Sequence, residues 1–108
     1  MMKREELIST LGSCINACNY CADACLGEDN VKMMVDCIRT DRVCAEVCSS
    51  LSQVLHTTYS NINGLIEYCI TVCEDCKSTC EQHDHQHCQD CAQACTDCIA
   101  ACKSFLAA

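Results

Sequence analysis

The sequence predicts an all-α fold, an antiparallel up-down-up-down four-helix bundle with a cysteine-lined core, laid out as a single domain over residues 1–108. Three observations lead there. Cysteines recur in steps of three and four in Cys14, Cys18, Cys21 and Cys25, in Cys69, Cys73, Cys76 and Cys80, and in Cys88, Cys91, Cys95, Cys98 and Cys102. That spacing keeps side chains on one face of an α-helix. A fourth run, Cys37, Cys44 and Cys48, has steps of seven and four, with Asp41 where the missing cysteine would stand. Proline is absent and glycine occurs three times, so nothing in the composition favours sheet, disorder or long linkers. The stretches between the runs are short, which places consecutive helices antiparallel.

Taken in order, the first helix is expected from near Arg4 to near Leu26, with the stripe Leu7, Leu11, Cys14, Cys18, Cys21, Cys25. Gly12 weakens it locally and delays its regular part, and Gly27 is expected as a left-handed stop. Glu28-Asp29-Asn30 forms the connection. The second helix takes Asp29 or Asn30 as its N-cap and runs to about Leu55, with the stripe Cys37, Asp41, Cys44, Cys48, Leu51, Leu55. After a turn through His56 to Ser60, the third helix covers about Asn61 to Gln82 and carries Ile62, Leu65 or Ile66, and its four cysteines. The His83-Asp84-His85 turn leads into the fourth helix, which ends at Phe105 and Leu106.

Aligning the stripes with flush ends gives four levels. Cys14, Cys48, Cys69 and Cys102 share the first, and Cys18, Cys44, Cys73 and Cys98 the second. Cys21, Asp41, Cys76 and Cys95 form the third; Cys25, Cys37, Cys80 and Cys91 form the fourth, with Cys88 beyond. The sulfurs then make a column roughly 17 Å tall, at about 1.5 Å per helical residue. Leu7, Leu11, Leu51, Leu55, Ile62, Leu65 and Phe105 converge below it as an apolar plug. Met33, Met34, His83, His85 and His87 lie at the other end. Ile15, Val31, Val35, Val43, Val47 and Ile99 fall beside or behind the stripes, and an apolar outer strip suggests self-association.

The chain has 16 cysteines but only three Tyr, one Phe and no Trp, so it cannot fill its centre as an ordinary bundle does. A net charge of −8 argues against nucleic acid and anionic membranes as partners. So many cysteines in a short chain raise the secreted disulfide scaffold first. Such scaffolds place cysteines in loops, whereas bridging within a regular helix is strained. No apolar run follows Met1 to Glu6 that would serve as a signal peptide, and no segment is long enough to span a bilayer. The expectation is a cytoplasmic protein with reduced thiols.

One buried cysteine is a small hydrophobe, but sixteen on inward faces call for a function, and thiolates bind soft or borderline metals after losing a proton. Zinc asks for four donors around a point, usually from turns. Iron–sulfur clusters use Cys–x–x–Cys on a loop that wraps the cluster; here Cys18 with Cys21, Cys73 with Cys76, Cys88 with Cys91 and Cys95 with Cys98 fall inside predicted helix. Cuprous ion accepts two or three sulfurs, and sulfurs bridge adjacent ions, so a continuous column suits it best. Neutrality in a low-dielectric core then sets about one Cu(I) per thiolate, or about half as many zinc ions. A zinc or mixed-metal thiolate buffer, an iron–sulfur electron-transfer protein and a thiol oxidoreductase stay open at this point. No nucleophile–base–orienter set is visible, so no enzyme is expected.

Three segments carry a resemblance. Ala22-Asp23-Ala24-Cys25-Leu26-Gly27-Glu28, the pattern from Cys37 through Asp41 to Cys44 and Cys48, and the ending His87-Cys88-x-x-Cys91 through Cys102 resemble the four-helix-bundle copper storage proteins over nearly the whole chain. The resemblance implies the cytosolic branch, storage of multiple Cu(I) ions by the cysteines, and a homotetramer. Asp41 departs from a full thiol lattice and is read as a hydrogen-bonding or solvated residue in preference to an oxygen ligand, because carboxylate is a hard donor. His83, His85 and His87 are expected metal ligands at the entrance, His87 being the best placed. Met33 and Met34 are expected to pack in the first turns of the second helix, and His56 to be ordinary surface. The surface carboxylates, Glu28 among them, are expected to be solvated; they also suit the basic patch of a donor such as a copper chaperone.

Overall fold

The computed structural model describes residues 2–108, which form four α-helices and one short 3₁₀ turn. Helix α1 is Arg4–Leu26, α2 is Val35–Leu55, α3 is Asn63–Cys80 and α4 is Gln86–Ala107. The 3₁₀ turn, Val31–Met34, leads directly into α2. Each helix packs on its chain neighbours and α1 also packs on α4; among the described residues the diagonal pairs have no backbone contact. This is the antiparallel up-down-up-down arrangement, a rod with extents of 45 × 19 × 19 Å. None of its helices is long and apolar enough to cross a membrane among the described residues.

Helix α1 opens with Glu5 and Glu6 in its first turn, where carboxylates suit the positive end of the helix dipole. Glu6 also folds back so that the Lys3 amide donates to its Oε1 at 3.3 Å. The helix passes without a break through Gly12, contrary to the expected delay, because the buried stripe on either side fixes it. At its end the Gly27 amide donates to Ala24 O at 3.0 Å. Gly27 has φ −90° and ψ −3°, so the expected left-handed stop is corrected to a right-handed terminal turn. Asn30 does begin the next element, but its side chain makes no cap; the 3₁₀ turn occupies what was expected as the first turn of α2. Met34 is buried in that turn, while Met33 is exposed.

The plugged end is built from Leu7, Leu11, Leu51, Leu55, Ile62 and Ile66, all buried. Leu65 and Phe105 are only partly buried against it, so of the two α3 candidates Ile66 takes the inner place. Arg4 fastens this end: its guanidinium donates to Thr57 O at 2.7 Å and Tyr59 O at 3.0 Å in the α2–α3 loop. His56 is exposed there, with Nδ1 2.7 Å from Ser52 O.

The register agrees with the drawn levels between α2 and α3, where Cys48 meets Cys69 at 3.7 Å, Cys44 meets Cys73 at 3.5 Å and Cys37 meets Cys80 at 3.4 Å. Helix α1 departs from them. Cys14 meets Cys44 rather than Cys48, and Cys21 meets Cys37 rather than Asp41, a slip of one turn. Helix α4 slips the other way, with Cys76 meeting Cys91 rather than Cys95 and Cys37 meeting Cys88 rather than Cys91. The two slips add to about two turns between α1 and α4, with Cys18 beside Cys91 and Cys21 beside Cys88. Flush ends were the wrong premise: α1 is displaced toward the histidine end and α4 toward the plugged end. Leu11 therefore stands where α1 was expected to supply its lowest sulfur.

Candidate metal centre

All sixteen cysteines have zero solvent exposure and all are free thiols. Helical stepping brings each to the inner face, and the neighbouring small residues Ala22, Ala45, Ala92 and Ala101, nearly as buried, let the helices approach. The sulfurs form a connected lattice. From the plugged end it runs through Cys48, Cys69 and Cys73, with Cys48 Sγ and Cys73 Sγ 3.9 Å apart, and on to Cys98 at 3.7 Å from Cys73. Cys102 lies beyond, next to Cys69 and Cys98. In the middle, Cys76 is 4.0 Å from Cys91, and Cys95 joins two four-sulfur groups, one with Cys14, Cys18 and Cys44, the other with Cys18, Cys76 and Cys91. Within each group the ligand atoms lie within 4.8 Å of one another.

Asp41 sits inside this lattice with zero exposure. Its Oδ1 accepts from the Cys76, Cys91 and Cys80 thiols at 3.1, 3.2 and 3.5 Å. The hydrogen-bonding alternative of the sequence reading therefore describes it and the solvated one does not. Burial, then the nearby charges of Cys91 and Cys76, hold its carboxyl far above the usual carboxylate range. In the metal-free protein it is thus a neutral acid among thiols. A carboxyl that keeps its proton spares the dry interior one unpaired negative charge.

The open end is made by Cys21, Cys25, His87 and Cys88, a four-residue group of three thiols and one imidazole. His87 Nδ1 lies 3.3 Å from Cys21 Sγ and 3.5 Å from Cys88 Sγ. Burial works to lower the His87 pKa, but its hydrogen bonds to Cys21 and Glu28 outweigh it and the net shift is upward. His85 stacks on His87 with ring centroids 5.4 Å apart, and His83 on His85 at 6.5 Å. These two stand outside the thiol group, His85 exposed and His83 partly so. With Glu28, Asp29, Asn30, Met33 and Met34 they line a vestibule of about 260 Å³. Glu28 is the residue that sequence reasoning passed over. Its Oε2 is 2.7 Å from His87 Nε2 and 3.5 Å from His85 Nδ1, so it is partnered, not merely solvated. Only its place in the Cys25-Leu26-Gly27-Glu28 segment set it apart from the other carboxylates.

A helical bundle with a closed apolar end, a core of free sulfurs and a histidine-bearing mouth defines a class: thiol-cored bundles with room for many soft-metal sites. The copper storage protein family model matches residues 1–107, and the chain belongs to that family. It is similar to the copper storage protein Ccsp from Streptomyces lividans loaded with 10 copper equivalents, at 42% identity and TM-score 0.92 over 96% of this chain and 83% of that one. A structure of a cytosolic copper storage protein from the same organism, with five coppers, matches at 41% identity and TM-score 0.92 over 97% and 92%. The Cu(I)-bound copper storage protein BsCsp3 is 37% identical with TM-score 0.87 over 93% and 94%. The uncharacterized cysteine-rich protein YhjQ of Bacillus subtilis (strain 168) is 37% identical over 84 residues, 78% of each chain.

Proposed function

We propose that this chain stores Cu(I), taking many ions into the bundle core through the sixteen cysteine thiolates, with His87 as a ligand at the mouth and His83 and His85 as transient ligands outside it. The observation that supports this most is the continuous sulfur lattice: contacts of 3.4 to 4.0 Å join thiols within a lower set around Cys48 and Cys73 and an upper set around Cys37 and Cys88, and the overlapping groups that share Cys18 and Cys95, with ligand atoms within 4.8 Å, bridge the two. A zinc or iron–sulfur protein needs one enclosed tetrad, and here the tetrads overlap and share members, as bridging thiolates do.

Loading balances by proton exchange. Each Cu(I) that enters displaces a thiol proton to solvent and forms Cu–S bonds, so the core stays neutral at about one ion per thiolate. An ion moves inward by forming a bond to the next sulfur before releasing the last. The spacing suits this, since neighbouring donors lie 3.4 to 4.0 Å apart within each set and within 4.8 Å where Cys95 and Cys18 join the sets. The role is storage and not turnover. The protein acts in the cytosol, as the Streptomyces lividans relative described as cytosolic does, where thiols stay reduced. It assembles as a tetramer, with the exposed Val43 and Tyr68 beside a groove of about 200 Å³ as apolar surface to be covered. A donor protein such as a copper chaperone would meet the vestibule end.

The deciding experiment is anaerobic titration of the reduced protein with Cu(I) against a chromophoric chelator. Storage gives an endpoint near one ion per thiol and an ultraviolet-only absorption. Single Cys→Ser changes should lower capacity in small steps. An endpoint of one or two ions per chain, or visible cluster bands, overturns the reading.

A further inference from the structure

We propose that Glu28 is the positioning residue of the entrance: its carboxylate holds the His87 ring so that Nδ1 faces the Cys21, Cys25 and Cys88 thiols as a ligand for Cu(I). The inference rests on the storage reading and deepens it at one atom. Glu28 lies in the turn after α1, His87 in the first turn of α4, and they are 59 positions apart in the chain. Their contact of 2.7 Å is the shortest link between these two segments at the mouth. An ionised carboxylate only accepts, so the proton in the contact belongs to His87 Nε2. With Nε2 committed to Glu28, the nitrogen that points into the thiol group is Nδ1, 3.3 Å from Cys21 Sγ.

This is the arrangement by which a carboxylate orients a metal-binding imidazole and raises its basicity. The stack adds a second restraint. The same Oε2 is 3.5 Å from His85 Nδ1, and the His85 ring lies 4° from parallel with His87 and covers one face of the inner ring. His87 has 11% of its side chain exposed, Glu28 27% and His85 43%, a gradient from the buried thiols to solvent. A Cu(I) arriving at this group displaces the Cys21 thiol proton to water and forms Cu–S and Cu–Nδ1 bonds, with no change of oxidation state.

The test is a mutant cycle on the intact chain: parent, Glu28→Ala, His87→Ala and the double variant, with Glu28→Gln as the variant that keeps an acceptor oxygen. Chelator competition reads the affinity of the outermost Cu(I) on otherwise loaded protein, and imidazole NMR of the metal-free protein reads whether the His87 Nε2 proton is hydrogen-bonded and slow to exchange. Glu28→Ala is expected to weaken the outermost site by about 10- to 100-fold, to speed exchange of that proton, and to add nothing in the His87→Ala background. Glu28→Gln should retain the larger part of the parent's affinity. Parental affinity in Glu28→Ala, or an effect that adds fully to that of His87→Ala, overturns the inference while leaving storage intact. A parental capacity of only one or two ions overturns storage and this inference with it.

Discussion

Replacing Asp41 by Asn should change how the stability of the metal-free protein depends on pH. Burial and the neighbouring Cys91 and Cys76 hold the Asp41 carboxyl protonated in the folded state, whereas the unfolded chain releases that proton above about pH 4. Between those limits the folded state binds one more proton than the unfolded state. Stability therefore falls as pH rises, by up to about 1.4 kcal/mol per pH unit. From about pH 5 to about pH 7 the loss reaches about 2.7 kcal/mol, a large share of the roughly 5–15 kcal/mol that holds a small domain folded. Asn keeps an oxygen for the Cys76 and Cys91 thiols, at 3.1 and 3.2 Å from Oδ1 in the parent, and cannot ionise. Urea unfolding of reduced, metal-free parent and variant, followed by circular dichroism under anaerobic conditions across that range, isolates the effect. Groups away from residue 41, Glu28 among them, titrate alike in both proteins and cancel in the difference. The variant should gain on the parent by roughly 2–3 kcal/mol across those two units. Parallel pH profiles would show that Asp41 is not held neutral, and the account of a protonated carboxyl among the thiols would fail.

Two further outcomes follow from the plugged end. Leu51→Ala, at a side chain with zero exposure, should destabilise the metal-free protein by about 2–5 kcal/mol without altering Cu(I) capacity, and a combined urea and Cu(I) titration checks both. Arg4→Ala removes the two hydrogen bonds to Thr57 O and Tyr59 O; it should lower stability by about 1 kcal/mol and raise amide exchange selectively in residues 57–62.

Helix number, order and buried faces were legible because cysteine replaced the usual apolar stripe without disturbing its period: every cysteine read as inward is buried. The α2–α3 register was legible too, since Asp41 marks a gap in one stripe and Cys76 fills the matching place in the other. The α1 and α4 registers were not, because helical spacing fixes which face is inward but not how far one helix slides along the next. Nor was the 3₁₀ turn Val31–Met34, since Val-Lys-Met-Met carries no sign that separates such a turn from the first turn of a helix. Gly27 illustrates a similar limit, because glycine permits the left-handed region without requiring it. At the mouth, His87 was singled out by its neighbours Cys88 and Cys91 in the chain. Its partner Glu28 was hidden among fifteen acidic residues, most of them solvent-facing, and only the return of the chain after two more helices brings the pair together.

The blocked lower end has a consequence for withdrawal. A shaft with one opening obeys stack order: what was admitted last is nearest the exit and leaves first, while the deepest occupants, beside Cys48, Cys69 and Cys102, wait until those above have gone. Under the storage reading a single protein would therefore hold a quickly spendable fraction and a long-term deposit, separated by depth.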